Sequence, residues 1–429
     1  MKTTPFLLTG LLFLGLAGSV KGQAEHNHTD RCGHIPVLER LAEQDAASMA
    51  GIEAARQAVL AYLAQRDNSR VADEETIYIP TVVHVVYNTP AQNISVSQVL
   101  SQIDILNADF ALLNTDFGNA RADFRAVAGT ANIQFCMAET DPEGAVTDGI
   151  VRVETAKTSF ESGDAPSGWD NVKFDLNGGS DAWPRNDYLN IWVCNLAPSA
   201  GVLGYAYPPG VSGVLDGVVI AYRFFGNQGV VSPPYNQGRT STHEIGHWLG
   251  LGHIWGDGGC GVDDGFSDTP QAGGPNFGCP STSAASCTTP DMWENYMDYT
   301  DDRCMVMFTE EQTDAMRAVM ATSRASVASS PKCYFNTAIE PTLPLEAIPF
   351  RVYPNPVMGE QIVWEAASPL TADGQLSLVD ATGRVLRTAS VAVGTQQQTW
   401  SIGSLPAGFY TLVLRSGNAT QQQRFWVAR

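Results

Sequence analysis

Positive charge is scarce in this chain of 429 residues, which has 25 Lys and Arg against 45 Asp and Glu and a formal net charge of −20. Nucleic acids and anionic membranes are bound by cationic surfaces, so this balance argues against both as partners. Long apolar runs are scarce as well. The run at residues 6–17 is too short to span a bilayer, and no later segment is long enough. The sequence therefore predicts no transmembrane segment.

The N-terminus has the order of a secretory signal peptide, with Lys2, an apolar run at residues 6–17 and small residues up to Gly22. A buried N-terminal helix is the alternative. The order favours export and cleavage near Gly22, and export allows the eight cysteines to form disulfides. Four cysteines lie in a stretch rich in Gly, Pro and Asp, which has little apolar material for a core and therefore favours crosslinks. They are Cys260, Cys279, Cys287 and Cys304, and sequence alone permits three pairings of them.

Hydrophobic patterns divide the rest of the chain into two folded regions. Residues 77–87 form a continuous apolar run, which predicts a strand buried on both faces. Residues 95–113 have the period of an amphipathic helix, with Ser97 as a candidate N-cap. Strands are predicted at 133–137, 189–194 and 218–222, so this region is an α/β or α+β unit. After a proline-rich linker, residues 350–429 alternate in short runs between turn signals, which predicts a small all-β sandwich.

Residues 243–253 read HEIGHWLGLGH and have the spacing of a catalytic metal site. On a helix, His243 and His247 project from one face and can each give a nitrogen to one Zn²⁺. Glu244 can reach a metal-bound water without being a ligand. Gly250 lets the backbone turn, which brings His253 round as a third ligand. Three protein ligands leave a position open for water, as catalytic zinc sites do and closed structural sites do not.

This motif matches the metzincin pattern HExxHxxGxxH, and NYMDY at residues 295–299 resembles the Met-turn that follows it. Residues 79–87, 102–107, 189–195 and 304–309 resemble the ulilysin-like (cytophagalysin) branch of the pappalysin family, and the resemblance covers about residues 30 to 333. It implies an α+β (α/β) metzincin-type zinc peptidase domain with a twisted sheet and an active-site helix. A bare HExxH on a surface helix is the alternative interpretation of the motif alone.

The resemblance implies further residue roles. Met297 would form the apolar floor under the zinc ligands, and Tyr299 would stabilise the developing oxyanion. Asp302 would lie at the bottom of the S1′ pocket and favour Arg or Lys after the scissile bond; a solvated turn is the alternative. The resemblance also suggests the disulfides Cys260–Cys287 and Cys279–Cys304, while Cys136, Cys194 and Cys333 stay unassigned. His84 lies in a strand and is interpreted as a core residue rather than a ligand.

Two more features bear on metals and latency. Asp264, Asp268 and Thr269 lie in a Gly-rich loop and offer hard oxygen ligands for Ca²⁺, which the resemblance favours. Cys32 is followed by glycine near the mature N-terminus, and a thiolate is a good fourth zinc ligand. Ulilysin-like zymogens are held latent in this way, so Cys32 is the cysteine-switch candidate; an ordinary disulfide cysteine is the alternative. Self-cleavage at Ser69–Arg70 would fit the predicted specificity.

Residues 350–429 resemble the type A sorting domain of type IX secretion, through VYPNP at 352–356, DATGR at 380–384 and LPAGFY at 405–410. An Ig-like substrate-binding or adhesive module is the alternative. The predicted order is a signal peptide (1–22), a pro-segment (23–69), a metallopeptidase catalytic domain (70–333), a linker (334–349) and the β-sandwich sorting domain (350–429). We therefore expect a latent, exported zinc metalloendopeptidase that acts on proteins or peptides. A binding protein with a purely structural metal is the rival, and Glu244 argues against it because such a site needs no general base.

Overall fold

The computed structural model describes residues 31–65, 76–333 and 350–427, apart from residues 165–166, 200, 212, 283, 356, 367, 381–384, 404, 407 and 417–418. The predicted signal peptide, the Ser69–Arg70 bond and the predicted linker lie outside the described residues. The chain divides into two compact units, Met1–Phe335 and Asn336–Arg429.

The first unit is built on a six-stranded twisted sheet. Its strands are β1 (Ile77–Tyr87), β2 (Ile133–Met137), β3 (Ile150–Glu154), β4 (Leu189–Cys194), β5 (Gly204–Ala206) and β6 (Val218–Ala221). The order is β2-β1-β4-β6-β5, with β3 also paired to β1. All pairs are parallel except β5 with β6, which leaves β5 as an antiparallel edge strand. Residues 79–86 of β1 are all buried, as the continuous apolar run predicted.

Five α-helices follow β1 in the described part of the first unit. They are α3 (Val96–Phe110), α4 (Ala122–Arg125), α5 (Arg239–Trp248), α6 (Glu310–Ala321) and α7 (Ala325–Ala328). The candidate N-cap of α3 was wrong by two residues. Ser95 has the extended backbone of an N-cap and its side chain accepts the N–H of Gln98, whereas Ser97 lies inside the helix.

Helices α1 (His34–Gln44) and α2 (Ala46–Gln65) belong to the N-terminal segment, residues 31–65, which packs on the rest of the first unit. Asp45 separates the two helices, and its carboxylate accepts the N–H and the hydroxyl of Ser48 at 2.9 and 2.7 Å. Helix α2 approaches the loop after β5 very closely. A Cβ added at Gly51 would lie 2.2 Å from the carbonyl oxygen of Gly210, so only glycine fits this contact.

Three disulfides crosslink the first unit. Cys260–Cys287 and Cys279–Cys304 hold the loop between α5 and α6, with the pairing that the family resemblance suggested. The third bond, Cys136–Cys333, joins β2 to the end of the unit. Cys32 and Cys194 are buried and form no disulfide within the described residues.

The second unit is the predicted all-β sandwich. One sheet has the order β10-β9-β12-β13 and the other β11-β8-β7, all antiparallel. The strands are β7 (Phe350–Tyr353), β8 (Gln361–Ala366), β9 (Gly374–Asp380), β10 (Val385–Val391), β11 (Gln397–Ser401), β12 (Gly408–Ser416) and β13 (Ala419–Val427). Trp364, Leu378, Trp400 and Leu412 are among the residues of its core.

Candidate active site

Three histidines converge at the C-terminal part of α5. His243 and His247 lie one turn apart on the helix, and Gly250, with φ +89°, turns the chain out of it so that His253 returns to the same point. The Nε2 atom of His247 lies 3.1 Å from the Nε2 atoms of both His243 and His253. The Cys32 sulfur lies with them, and the four candidate ligand atoms are within 4.8 Å of one another.

The hydrogen bonds made by the Nδ1 atoms of His243 and His247 show why this cluster fits a cation. The Nδ1 atoms of His243 and His247 lie 2.7 and 2.8 Å from the backbone oxygens of Tyr296 and Leu251, which can only accept. Both rings therefore carry their proton on Nδ1 and direct the Nε2 lone pair inward. Burial lowers the pKa of both histidines and keeps them neutral. Lone pairs that face one another at this distance repel unless a metal lies among them, so the donor set fits Zn²⁺.

Glu244 lies beside the cluster, against the edge strand β5. Its side chain is buried, and burial raises its pKa to about 8. The Cys32 thiol lies 3.5 Å from the Glu244 carboxylate. Strand β5 leaves room for this carboxylate because it has glycine at 204, where a Cβ would lie 2.9 Å from the Cγ of Glu244.

The Met-turn residues lie beneath and beside the histidines. Met297 packs under the active-site helix at Gly246, where a Cβ would lie 2.4 Å from the Met297 sulfur. The Met297 N–H donates to the Asn295 side chain at 2.9 Å, which fixes the turn. The ring of Tyr299 is buried, with its centroid 5.0 Å from that of His253. The structure thus brings both predicted residues to the histidine cluster.

A pocket opens next to the cluster, and Asp302 is buried in its wall rather than solvated. The lining includes Arg31, Tyr235, Tyr299, Asp302 and Met305. One oxygen of Asp302 accepts the backbone N–H groups of Gln237 and Arg239, at 2.7 and 3.3 Å. The other oxygen is buried and has no hydrogen-bond partner among the residues that the structure describes. Burial raises the pKa of Asp302 to about 7.

The N-terminal segment runs through the cleft alongside β5. The N–H of Leu203 donates to the oxygen of Arg31, and the N–H of Gly33 donates to the oxygen of Gly204, at 2.7 and 2.8 Å. The Arg31 side chain donates to the Tyr299 carbonyl at 2.9 Å, and its guanidinium lies over two aromatic rings. His34 stacks on His247 with ring centroids 3.9 Å apart. This segment therefore covers both the histidine cluster and the neighbouring pocket.

Comparison with known proteins agrees with this geometry. The sequence profile of the peptidase family described as pregnancy-associated plasma protein-A matches residues 175–321. An extracellular metalloprotease of Pyricularia oryzae is 30% identical over 325 residues, which are 73% of this chain and 96% of that protein. This chain belongs to the pappalysin family of zinc metalloendopeptidases.

Solved structures support the assignment of this chain to the pappalysin family. A mutant of Tannerella forsythia promirolysin is 42% identical, covers 70% of this chain and 97% of its own, and superposes with a TM-score of 0.62. Mature Tannerella forsythia mirolysin in complex with a cleaved peptide is 47% identical, covers 60% of this chain and 97% of its own, and has a TM-score of 0.56. The predicted metzincin-type fold is therefore confirmed.

The second unit of the pappalysin is an export signal. Residues 351–428 match the profile of the secretion system C-terminal sorting domain. The peptidase is therefore exported through the outer membrane, in agreement with the extracellular metalloproteases that it resembles. Among the described residues, no helix has the length and apolarity needed to cross a membrane.

The pappalysin carries the predicted calcium residues in the loop between α5 and α6. Asp264 accepts the hydroxyl of Thr269 at 2.6 Å, and Asp268 accepts the N–H of Glu311 at 2.9 Å. The second oxygen of each aspartate is buried and lacks a hydrogen-bond partner within the described part of the chain. Burial raises the pKa of Asp264 to about 7. Two buried carboxylate oxygens without donors fit a hard cation, although Thr269 already donates to one of the aspartates.

Sequence reasoning missed three residues at this site, namely Arg31, His34 and Asp257. The first two lie within two residues of Cys32, and their roles depend on a chain crossing that no local pattern reveals. The third lies four residues beyond the zinc motif. His84 is a satisfied core residue, as interpreted, since its ring nitrogens lie 2.9 and 3.0 Å from the side chains of Ser180 and Asn190.

Proposed function

We propose that this chain is a zymogen whose mature form cleaves peptide bonds before Arg or Lys. The observation that carries the proposal is the convergence of three inward-facing imidazoles beside a buried glutamate, under a segment that brings a thiol to the same point. His243, His247 and His253 would hold zinc. Bound zinc supplies Lewis acidity toward the scissile carbonyl and lowers the pKa of water.

The other residues of the chain handle protons and charge. Glu244 takes the proton of the attacking water and later delivers it to the leaving amine. Tyr299, whose ring lies beside His253, donates a hydrogen bond to the oxygen that becomes negative in the transition state. Both roles benefit where the buried walls of the cleft exclude bulk water, because electrostatic stabilisation is stronger at low dielectric.

The specificity follows from the pocket. A buried carboxylate oxygen of Asp302 without a donor is a costly arrangement, which a basic side chain at P1′ would relieve by a charge-assisted hydrogen bond. Arg31 of the N-terminal segment is among the residues that line the same pocket, so a basic side chain already lies against it. Cleavage at Ser69–Arg70 would then be a self-processing event, which N-terminal sequencing of the mature enzyme would test.

Latency is assigned to Cys32. Its sulfur lies among the three histidines, where it would be a fourth zinc ligand in the place of the catalytic water. The similarity to promirolysin, which is a pro-form by name, supports this interpretation. We further propose that Asp264 and Asp268 bind Ca²⁺ with backbone carbonyls and stabilise the loop between α5 and α6.

Digestion of a mixed peptide library by the matured protein tests the reaction and its specificity. We expect cleavage before Arg and Lys that is abolished by a zinc chelator and by Glu244→Ala. Cleavage dominated by apolar P1′ residues would refute the role of Asp302. Latency is tested separately with Cys32→Ala. The parent full-length chain should show a lag before it cleaves peptides, and the variant should be active without this lag. Cys194→Ala, which removes a buried thiol of strand β4, is the matched control and should keep the lag.

A further inference from the structure

His253 differs from the other two histidines in what holds its ring. The Nδ1 atoms of His243 and His247 face backbone carbonyls, whereas Nδ1 of His253 faces a side chain, the Asp257 carboxylate, at 2.5 Å. His253 also lies outside the helix, beyond the turn at Gly250, so no helical backbone restrains it. Its orientation therefore depends on side-chain contacts, and the residues that follow it supply two of them in addition to the ring of Tyr299.

Those two contacts come from one tight turn. The N–H of Gly256 donates to the carbonyl of His253 at 2.9 Å, which folds the chain back on the histidine. Trp255 covers the imidazole face to face, with ring centroids 4.3 Å apart and planes 4° from parallel. Stacking fixes the plane of the ring but is equally compatible with a ring flipped by 180° about the Cβ–Cγ bond, which would exchange Nδ1 with a ring carbon. The hydrogen bond to Asp257 selects the orientation in which Nδ1 faces the carboxylate and Nε2 faces His247.

The backbone at Asp257 shows that this geometry carries a cost. Its φ is +55°, in the left-handed region that residues other than glycine rarely occupy. Asp and Asn tolerate this region better than other side chains, and Gly occupies it without strain. A glycine at 257 would therefore suit the backbone, and what an aspartate adds there is its carboxylate.

We propose that Asp257 is a positioning residue that orients His253 and strengthens its binding of zinc, an inference that rests on the proposed role of His253 as a ligand. A carboxylate that accepts from the far nitrogen of a ligating imidazole fixes its tautomer and raises its basicity. The His253 side chain is fully buried and the Asp257 side chain is about a quarter exposed, at 26%. The carboxylate thus connects a buried ligand to the surface of the loop.

Zinc affinity, rather than peptidase activity, tests this role. The experiment uses the full-length chain with Glu244→Ala, which prevents self-digestion, and is repeated with Cys32→Ser, which removes the candidate fourth ligand. Dissociation constants come from competition with a chromophoric chelator. We expect Asp257→Gly to weaken zinc binding by about 10–100-fold. Asp257→Asn should weaken it less, because its amide oxygen still accepts from Nδ1 without a charge.

Two comparisons separate the possible failures. Zinc affinities of both Asp257 variants within about twofold of the parent, in both backgrounds, would overturn the inference, since a positioning partner is worth at least about tenfold. His253→Ala is the ligand control: if it too retained full zinc affinity, the proposed ligand set itself would be wrong. The visible spectrum of the cobalt-substituted protein gives a second readout. It should change in Asp257→Gly if the ligand geometry depends on the carboxylate, and an unchanged spectrum would count against the proposal.

Discussion

Replacing Gly51 by alanine sets two physical effects against each other in helix α2. Alanine is the better helix former by about 1 kcal/mol, so propensity alone favours the variant. The added Cβ, however, would lie 2.2 Å from the carbonyl oxygen of Gly210. That oxygen belongs to the backbone of a left-handed glycine, with φ +100°, and cannot rotate away as a side-chain atom would.

The steric effect should win. Overpacking of this kind typically costs about 1–3 kcal/mol, and a rigid backbone partner places the cost at the upper end. After subtraction of the gain in propensity, the docking of α2 is weakened by about 2 kcal/mol. This is about a 30-fold shift toward the undocked segment. Because α1 and Cys32 lie on the same segment, loosening α2 should also loosen the cover over the active site.

Hydrogen–deuterium exchange of α2, measured in the full-length chain with Glu244→Ala, reads out this docking. We expect faster exchange in Gly51→Ala, by up to about 30-fold where exchange requires undocking. Ala54→Gly is the matched control, because Ala54 is exposed one turn away and reports the propensity effect by itself. Exchange in Gly51→Ala that is equal to the parent or slower would show that propensity dominates and would refute the steric reasoning.

Four further predictions concern the site and the residues that support it. Asp302→Asn should reduce the ratio of kcat/KM for a peptide with Arg at P1′ to kcat/KM for its partner with Met at P1′. The expected reduction is about 10–100-fold, the value of one charged hydrogen bond. The same ratio in the parent and the variant would exclude Asp302 from specificity. In the parent enzyme this ratio should fall as pH drops through about 7, because the pKa of Asp302 is raised to about 7 and its carboxylate is neutralised below that pH. Ca²⁺ at 100 times its Kd should stabilise the parent protein by about 2.7 kcal/mol and raise its Tm, but it should not raise the Tm of Asp264→Asn. A rise of the same size in the parent and the variant would place the ion elsewhere. Gly246→Ala should lower the free energy of unfolding by about 1–3 kcal/mol, since its Cβ would lie 2.4 Å from the Met297 sulfur, and an unchanged Tm would show that this packing is loose.

The features that could be predicted from the sequence are those set by patterns of residues close together in the chain. The strands at 133–137 and 189–194 have the predicted bounds because their apolar runs end at clear turn signals. The zinc motif could be recognised because its spacing is set within one helix and one turn. Strand β5 was missed, since three residues that begin with glycine carry no period of two. That strand nevertheless lies against Glu244 and pairs with the N-terminal segment.

Long-range relations were out of reach for a different reason. Cys136 and Cys333 are 197 residues apart, and no local feature of either predicts the other. The contact of Asp257 with His253 depends on a left-handed residue whose φ cannot be inferred from its sequence neighbours alone. Cys32 was a candidate because thiolates bind zinc, but nothing in the sequence shows that Arg31 lies over two aromatic rings or that His34 stacks on His247. The chemistry of single residues suggested candidate ligands, whereas the fold determines which residues surround them.

The bond Cys136–Cys333 has a consequence for the life of the exported protein. It returns the last residues of the peptidase unit to strand β2, directly before the predicted linker to the sorting domain. A loop of this length is worth about 5 kcal/mol in the chain-entropy model of disulfides. Pulling on the sorting domain, or cutting it off after residue 333, would therefore act on an end that is already tied down. We therefore expect the peptidase unit to resist unfolding from its C-terminal end during export, and after any cleavage in the linker.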